Sequence, residues 1–533
     1  MSQAREIESG TTKRLSVFRR LVEQSATRWI PLASFAVAFS LYAWQLSQPS
    51  MPAFYDSGVY VASAIDFVSG VMPYIRFTFV NPPGIVLLLA PVGVIGKLLG
   101  SHAALVAARW MGVVVAAGVA AAVPWLLRRQ GLLAMGVAGI LMATIPVADT
   151  VSSAIKLDTY CVLLSLIGAG IVLPLFKESL RSERVASWRW WAGGVVFGFA
   201  GCVKLWAVFP FTAVVLCLLV WRVHQLSRVI TGAALGLLVP SLPFILRSPS
   251  RVIHQVLIDQ LMQPGLAQHS QGVLDRLMDL TGFDYTLLQL SNSSLMVFVV
   301  IFLGAVSLAL LIGPRLEPEE AFFIFSAVLV TGGLLAAPVW DLYYAYFDAP
   351  FLIGVLAFTF ARLARALTFV IRRVSLSTAT RRFSASALSL SAIVLGGTLA
   401  MVNVQFYQGF ASTGLNPSEL RAISTTIPPS SCVVYAYEYE GVYTNRLSPP
   451  GSSCPQAIDS YGMFQSVGMN VSHPPPAFVA EWKSYLARAK YVVLNIPGTP
   501  YLPWTTSLTS WFDAHFRLIS PGPGVWVYRH RGM

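Results

Sequence analysis

The sequence predicts an all-α polytopic membrane protein of about eleven transmembrane helices, followed by a small C-terminal α/β domain outside the membrane. Three observations lead there. The 533 residues are 55% hydrophobic and only 11% charged, with a mean hydropathy of +0.65, whereas soluble domains carry roughly 25% charge. Runs of about 20 apolar residues recur along most of the chain, each enough to cross a ~30 Å hydrocarbon core. Beyond Phe406 no such run occurs, and short strand-like stretches flank a helical one.

The basic residues order the spans. Lys13, Arg14, Arg19 and Arg20 precede the first, Arg28 to Ser47, so the tail 1–27 is expected in the cytoplasm. That apolar stretch is too long for a cleavable signal, and no small-residue cleavage site follows it. Further basic groups are Arg128 with Arg129, Lys177 to Arg184, Arg222 with Arg228, Arg315, and Arg362 through Arg372 and Arg373 to Arg381 and Arg382. Placing them all inside gives further spans at about 103–127, 131–149, 157–176, 188–207, 208–224, 228–246, 294–314, 320–339, 347–369 and 385–406. The membrane domain is then 28–406, with an outer loop at 48–102 and the C-terminus outside. These flanking loops also explain the net charge of +13, with no nucleic-acid partner.

Two segments sit apart from this scheme. Pro83 to Gly100 is apolar enough to span, but counting it would put every later basic group outside; it is read as a membrane-embedded or juxtamembrane helix on the outer side. Arg251 to Leu261 spaces Val252, Ile253, Val256, Leu257 and Leu261 along one helical stripe, which suggests an interfacial helix in the outer loop 248–293.

Residues 407–533 form the predicted extracytoplasmic domain. Strands are expected at Cys432 to Tyr437, Tyr491 to Ile496 and Val525 to Arg529, with a helix from Pro475 to Ala489. Of five cysteines, Cys432 and Cys454 fall here; a disulfide between them fits an oxidising exterior, and two free buried thiols are the alternative. The seven histidines are scattered, no Cys or His cluster has zinc spacing, and no Walker or dinucleotide fingerprint appears.

The chemistry-bearing stretch follows the first span: Phe54, Tyr55, Asp56, Ser57, Gly58, Val59 and Tyr60, continuing to Asp66, Gly70, Pro73, Tyr74 and Arg76, then Asn81, Pro82, Pro83 and Gly84. A carboxylate on a short outer helix ending near Gly70 and Pro73 is well placed to act on a lipid head group. The plainer role for Asp56 is a helix cap or loop residue. Asp66 is read as solvated or capping.

With the Ala107, Ala108, Arg109 helix that ends at Arg128 and Arg129, this order resembles the GT-C superfamily of polyprenyl-phosphate-sugar-dependent glycosyltransferases over roughly residues 28–370. The protein-mannosyltransferase-like and actinobacterial mannosyl- and arabinosyltransferase branches look closest. The resemblance implies transfer of a sugar from a polyprenyl-phosphate donor to a glycan, glycolipid or protein acceptor at the outer membrane face. It also implies that Asp56 is the general base of an inverting reaction, and that Tyr60, Arg76 and Asn81 lie on the substrate path. Many relatives carry Asp-Glu or Asp-Asp here, whereas this chain has Asp56 followed by Ser57, which weakens the case for a carboxylate-bound metal. No cofactor is implied.

Such a reaction needs a base on the acceptor hydroxyl and cations on the leaving phosphate. Cations in apolar spans are costly and therefore candidates. Arg109, Lys204 and Arg247 all fall near the outer face and are the expected phosphate grip; snorkelling or structural pairing is the alternative for each. Lys156 and Asp158 resemble a position where relatives place a second acid beside the donor; Asp158 is expected to hold Lys156 or a sugar hydroxyl, and a purely structural ion pair is the alternative. The turn from Trp340 through Asp341, Tyr343 and Tyr344 to Asp348 is either a sugar-stacking wall or an aromatic interface belt. A transporter or flippase is the competing class, but it would place key charges near the midplane and show internal repeats, and none is visible.

Overall fold

The computed structural model describes residues 27–48, 54–152, 154–177, 187–261, 272–282, 291–312, 315–373, 396–408, 417–451, 453–467, 473–495, 501–522 and 524–533. Seven described helices are long and apolar enough to cross a membrane, and the pair Leu132–Thr144 and Pro146–Ser152, bent by 49°, makes up to eight. The expected eleven spans are not all matched by helices of full length among the described residues. The segments 188–207 and 208–224 fold as Ser187–Val203 and Leu205–Trp221, about 25 Å each at 1.5 Å per residue and shorter than a full span. The last expected span, 385–406, lies partly outside the described residues, of which 396–408 are helical.

Pro83 to Gly100 breaks at Leu89 into Gly84–Leu88 and Ala90–Leu99, and ten residues cover only about 15 Å. Residues 249–261 are helical, with Val252 and Val256 buried and Ile253 and Leu257 exposed. A further helix, Val273–Thr281, lies in the same loop region and went unread in the sequence.

Sidedness is built into the Pro318–Ala336 helix. Its acidic first turn is paired throughout: Glu320 with Arg362 at 2.5 Å, Glu319 with Arg129 at 3.0 Å, and Glu317 with Lys177 at 2.8 Å. About 28 Å further along, its C-terminal end delivers Ala337 to Trp340 to the cavity described below. The ionic collar and the cavity therefore occupy opposite ends of the bundle.

Between the bundle and the C-terminal domain lies the helix Tyr55–Val68. It stops at Ser69 because Gly70 adopts φ +89°, which glycine reaches without strain. Its Gly58 meets the backbone of Tyr439 so closely that a Cβ would come within 2.2 Å of the Tyr439 nitrogen. The helix Glu438–Tyr443 is thus seated directly on the Tyr55–Val68 helix.

The C-terminal sheet comprises β1 (Val433–Tyr435), β2 (Tyr491–Asn495), β3 (Phe516–Pro521) and β4 (Val525–His530) in the order β1-β2-β4-β3. β1 and β2 are parallel and the other pairs antiparallel. The helix Pro476–Arg488 makes the crossover and buries Phe478, Trp482 and Leu486 in the core of the domain. β3 and the helix Thr506–His515 were not foreseen. Cys432 and Cys454 are disulfide-bonded with Cα atoms 5.1 Å apart, while Cys161, Cys202 and Cys217 are free and buried.

Candidate active site

A cavity of about 430 Å³ opens where the Tyr55–Val68 helix, the starts of the Leu157–Val172 and Tyr344–Arg373 helices, and the C-terminal domain meet. Asp56, Tyr60, Asn81, Lys156, Asp158, Lys204, Asp341 and Tyr344 line it together. Asp56 stands in the first turn of its helix, where the N-terminal dipole favours a carboxylate. Asn81 is fixed through its backbone, whose carbonyl accepts a 2.5 Å hydrogen bond from Tyr74 Oη.

Two ion pairs dominate the floor. Lys156 Nζ lies 2.5 Å from Asp56 Oδ2, and Lys204 Nζ lies 2.7 Å from Asp158 Oδ1. The expected pairing of Asp158 with Lys156 is therefore corrected: residues two apart at a helix start point in different directions. Lys156 has extended backbone just before the Leu157–Val172 helix, while Asp158 is already inside its first turn.

Aromatic faces hold both cations. Lys156 Nζ is 3.7 Å from the centroid of Tyr343, and Lys204 Nζ is 3.6 Å from that of Trp206 and 4.7 Å from that of Tyr344. Lys204 is also 5.9 Å from Tyr343, so one ring stands between the two ammonium groups. Asp341 accepts from Tyr343 Oη at 3.0 Å. In the same turn Trp340 donates to Asp279 at 2.6 Å and Arg276 donates to the carbonyl of Ala337 at 2.5 Å, so the Val273–Thr281 helix clamps this wall. Asp348 turns away and is buried on Thr331.

Three expected site residues lie elsewhere. Arg109, only 1% exposed, faces the C-terminal domain and donates to Tyr439 Oη at 2.8 Å. Arg247 is exposed at the end of its helix, where a cation complements the C-terminal dipole. Arg76 is exposed on the segment that follows the Tyr55–Val68 helix and does not line the cavity. Asp66, read as solvated or capping, is instead 1% exposed, with no hydrogen-bond partner for either oxygen among the described residues.

The C-terminal domain completes the cavity with Asp459, Tyr461, Gln465 and Tyr501, none of which the sequence singled out. Asp459 Oδ1 accepts from Tyr55 Oη at 2.9 Å and from the Gly462 amide at 2.8 Å; burial lifts its carboxyl to about 6. Among the described residues no group of three or more His, Cys, Asp or Glu side chains could hold a metal ion.

These features define a multi-pass helical membrane protein with a polar cavity between the helical bundle and the C-terminal domain. The solved structures that share the fold include ArnT from Cupriavidus metallidurans bound to undecaprenyl phosphate, 14% identical, with 94% of this chain and 98% of that chain covered at a TM-score of 0.59. They also include the oligosaccharyltransferase of Archaeoglobus fulgidus in its apo form, 11% identical, with 95% and 74% covered at a TM-score of 0.53. No protein-family model matches the sequence, and no curated protein matches it. At these identities the likeness establishes the fold.

Proposed function

We propose that this protein is an inverting glycosyltransferase that moves a sugar from a polyprenyl-phosphate donor to an acceptor hydroxyl at the outer face of the plasma membrane. The observation that carries the reading is the convergence of Asp56 with two lysines, Lys156 and Lys204, in one cavity at the end of the bundle away from the ionic collar. The shared fold with ArnT, whose structure holds undecaprenyl phosphate, supports a lipid-phosphate donor.

In this reading the acceptor oxygen attacks the anomeric carbon as Asp56 takes its proton. The bond from that carbon to the phosphate oxygen breaks, and the electron pair leaves with the polyprenyl phosphate. Lys156 and Lys204 stabilise the growing charge on the phosphate, so the grip first assigned to Arg109 and Arg247 passes to the cations of the cavity floor. Asp56 and Asp158 hold the two ammonium groups in place until the phosphate arrives. The mannosyl or arabinosyl character of the donor, a cytoplasmic N-terminus and an extracytoplasmic position for 407–533 belong to the same proposal.

The test is a donor screen. Purified protein in lipid nanodiscs, with no ion gradient, is given mannosyl, arabinosyl, glucosyl and galactosyl polyprenyl phosphates together with oligosaccharide, glycolipid and Ser/Thr-rich peptide acceptors. Consumption of one of them with release of polyprenyl phosphate is expected. Failure to consume any would overturn the reading in favour of a transporter.

A further inference from the structure

The cavity has two chemically different walls. The floor from the membrane domain is cationic. The wall from the C-terminal domain, formed by Asp459, Tyr461, Gln465 and Tyr501, carries acceptor oxygens and aromatic rings and no cation. Gln465 is the sharpest feature of that wall. Its Nε2 donates to the carbonyl of Asp259 at 3.0 Å, which fixes the amide orientation, because a flipped amide would set two acceptors against each other. Oε1 is then left buried in a residue only 3% exposed, with no partner among the described residues. That oxygen is enclosed, so Gln465 anchors the wall to Asp259 while Asp459, Tyr461 and Tyr501 complete its surface on the cavity.

The neighbouring groups narrow the chemistry. Tyr55, Tyr461 and Tyr501 pack in T-shaped and tilted pairs around the same wall, with ring centroids 5.2 to 6.3 Å apart. Asp459 and Asp341 add carboxyl oxygens on either side. Rings suit apolar C–H faces, and acceptor oxygens suit hydroxyl donors; a ligand that carries both on one small scaffold is a neutral saccharide. A phosphorylated or carboxylated acceptor would meet carboxyl groups without a cation. A peptide would bring backbone carbonyls, which this wall has few donors to meet.

We infer that Asp459, Tyr461, Gln465 and Tyr501 form the acceptor subsite, and that the acceptor is a neutral carbohydrate. The role as acceptor rests on the sugar-transfer reading; the binding does not. The experiment therefore omits the donor. Saturation-transfer NMR on the full chain in lipid nanodiscs uses a panel of neutral hexose and pentose oligosaccharides and, in parallel, a peptide rich in Ser and Thr. Oligosaccharide binding is expected, weakened about 10-fold by Tyr461→Phe, which removes one hydroxyl at similar size. Asp459→Asn, which keeps a helix-capping oxygen, guards against misfolding of the first variant and should also weaken binding. Absence of saccharide binding, affinity unchanged in both variants, or selective peptide binding would each overturn the inference. If saccharides bind as stated but no polyprenyl-phosphate sugar is consumed, the subsite stands and the sugar-transfer reading falls. Donor consumption without saccharide binding gives the reverse result.

Discussion

Lys156 Nζ and Asp56 Oδ2 meet at 2.5 Å across 100 positions of sequence, tying the residue before one helix to the first turn of another. The contact joins the two groups that sugar transfer needs, a proton acceptor and a cation. With the Lys204 and Asp158 pair it also leaves each cavity-floor lysine with its own carboxylate. In the proposed reaction a lipid phosphate entering the cavity competes for both lysines at once, which couples donor binding to exposure of Asp56 to the acceptor.

That coupling separates the cations by kinetics. Lys156→Gln and Lys204→Gln should each raise the donor KM by about 10-fold or more, the loss expected for one charge-assisted hydrogen bond. Arg109→Gln should leave the donor KM nearly unchanged and instead lower the melting temperature, because Tyr439 loses its donor at the seat of the C-terminal domain. Steady-state kinetics with varied donor, together with thermal unfolding, read both effects. A donor defect in Arg109→Gln equal to that of the lysine variants would return Arg109 to the phosphate.

Burial of Asp66 makes a pH prediction. Its carboxyl is pushed up to about 7 by burial, against about 4 in an unfolded chain, so the folded state binds the proton more tightly. Stability should therefore fall as pH rises from about 4 to about 7 and stay level above that. Asp66→Asn should remove this slope and stabilise the protein at pH 8 by on the order of 4 kcal/mol. Thermal unfolding of both proteins at pH 5 and pH 8 tests it; parallel pH dependence in the two would show that Asp66 ionises freely.

The disulfide offers a third measurement. Cys432 and Cys454 close a loop with a sequence separation of 22, worth on the order of 3 kcal/mol by loop entropy. Thiol labelling under native, non-reducing conditions should miss both, and the double Ser variant should unfold at a lower temperature. Labelling of both in unreduced protein would contradict the pairing.

Much of the membrane part was legible because its signals are local. Asp56, Lys156, Asp158 and Lys204 stood out as charges beside or within apolar runs, and all four reach the cavity. Arg109 stood out by the same rule and misled, since depth along a helix does not say which neighbour its face meets. That neighbour, Tyr439, lies 330 positions away. Asp459, Gln465 and Tyr501 were invisible for the same reason: in sequence they are ordinary polar residues of a small domain. Only the seating of the Glu438–Tyr443 helix against Gly58 brings them to the cavity. The span count was least legible where helices of 17 residues abut at Lys204, because two short helices and two full spans have nearly the same hydropathy trace.

The most direct test is Asp56→Asn. The change keeps size and hydrogen bonding and removes proton-accepting power, so turnover with the preferred polyprenyl-phosphate sugar should fall by about 10²-fold or more. Donor binding, measured separately, should persist through Lys156 and Lys204. Sugar transfer by the Asn variant at the wild-type rate would contradict the assignment of Asp56 as the base.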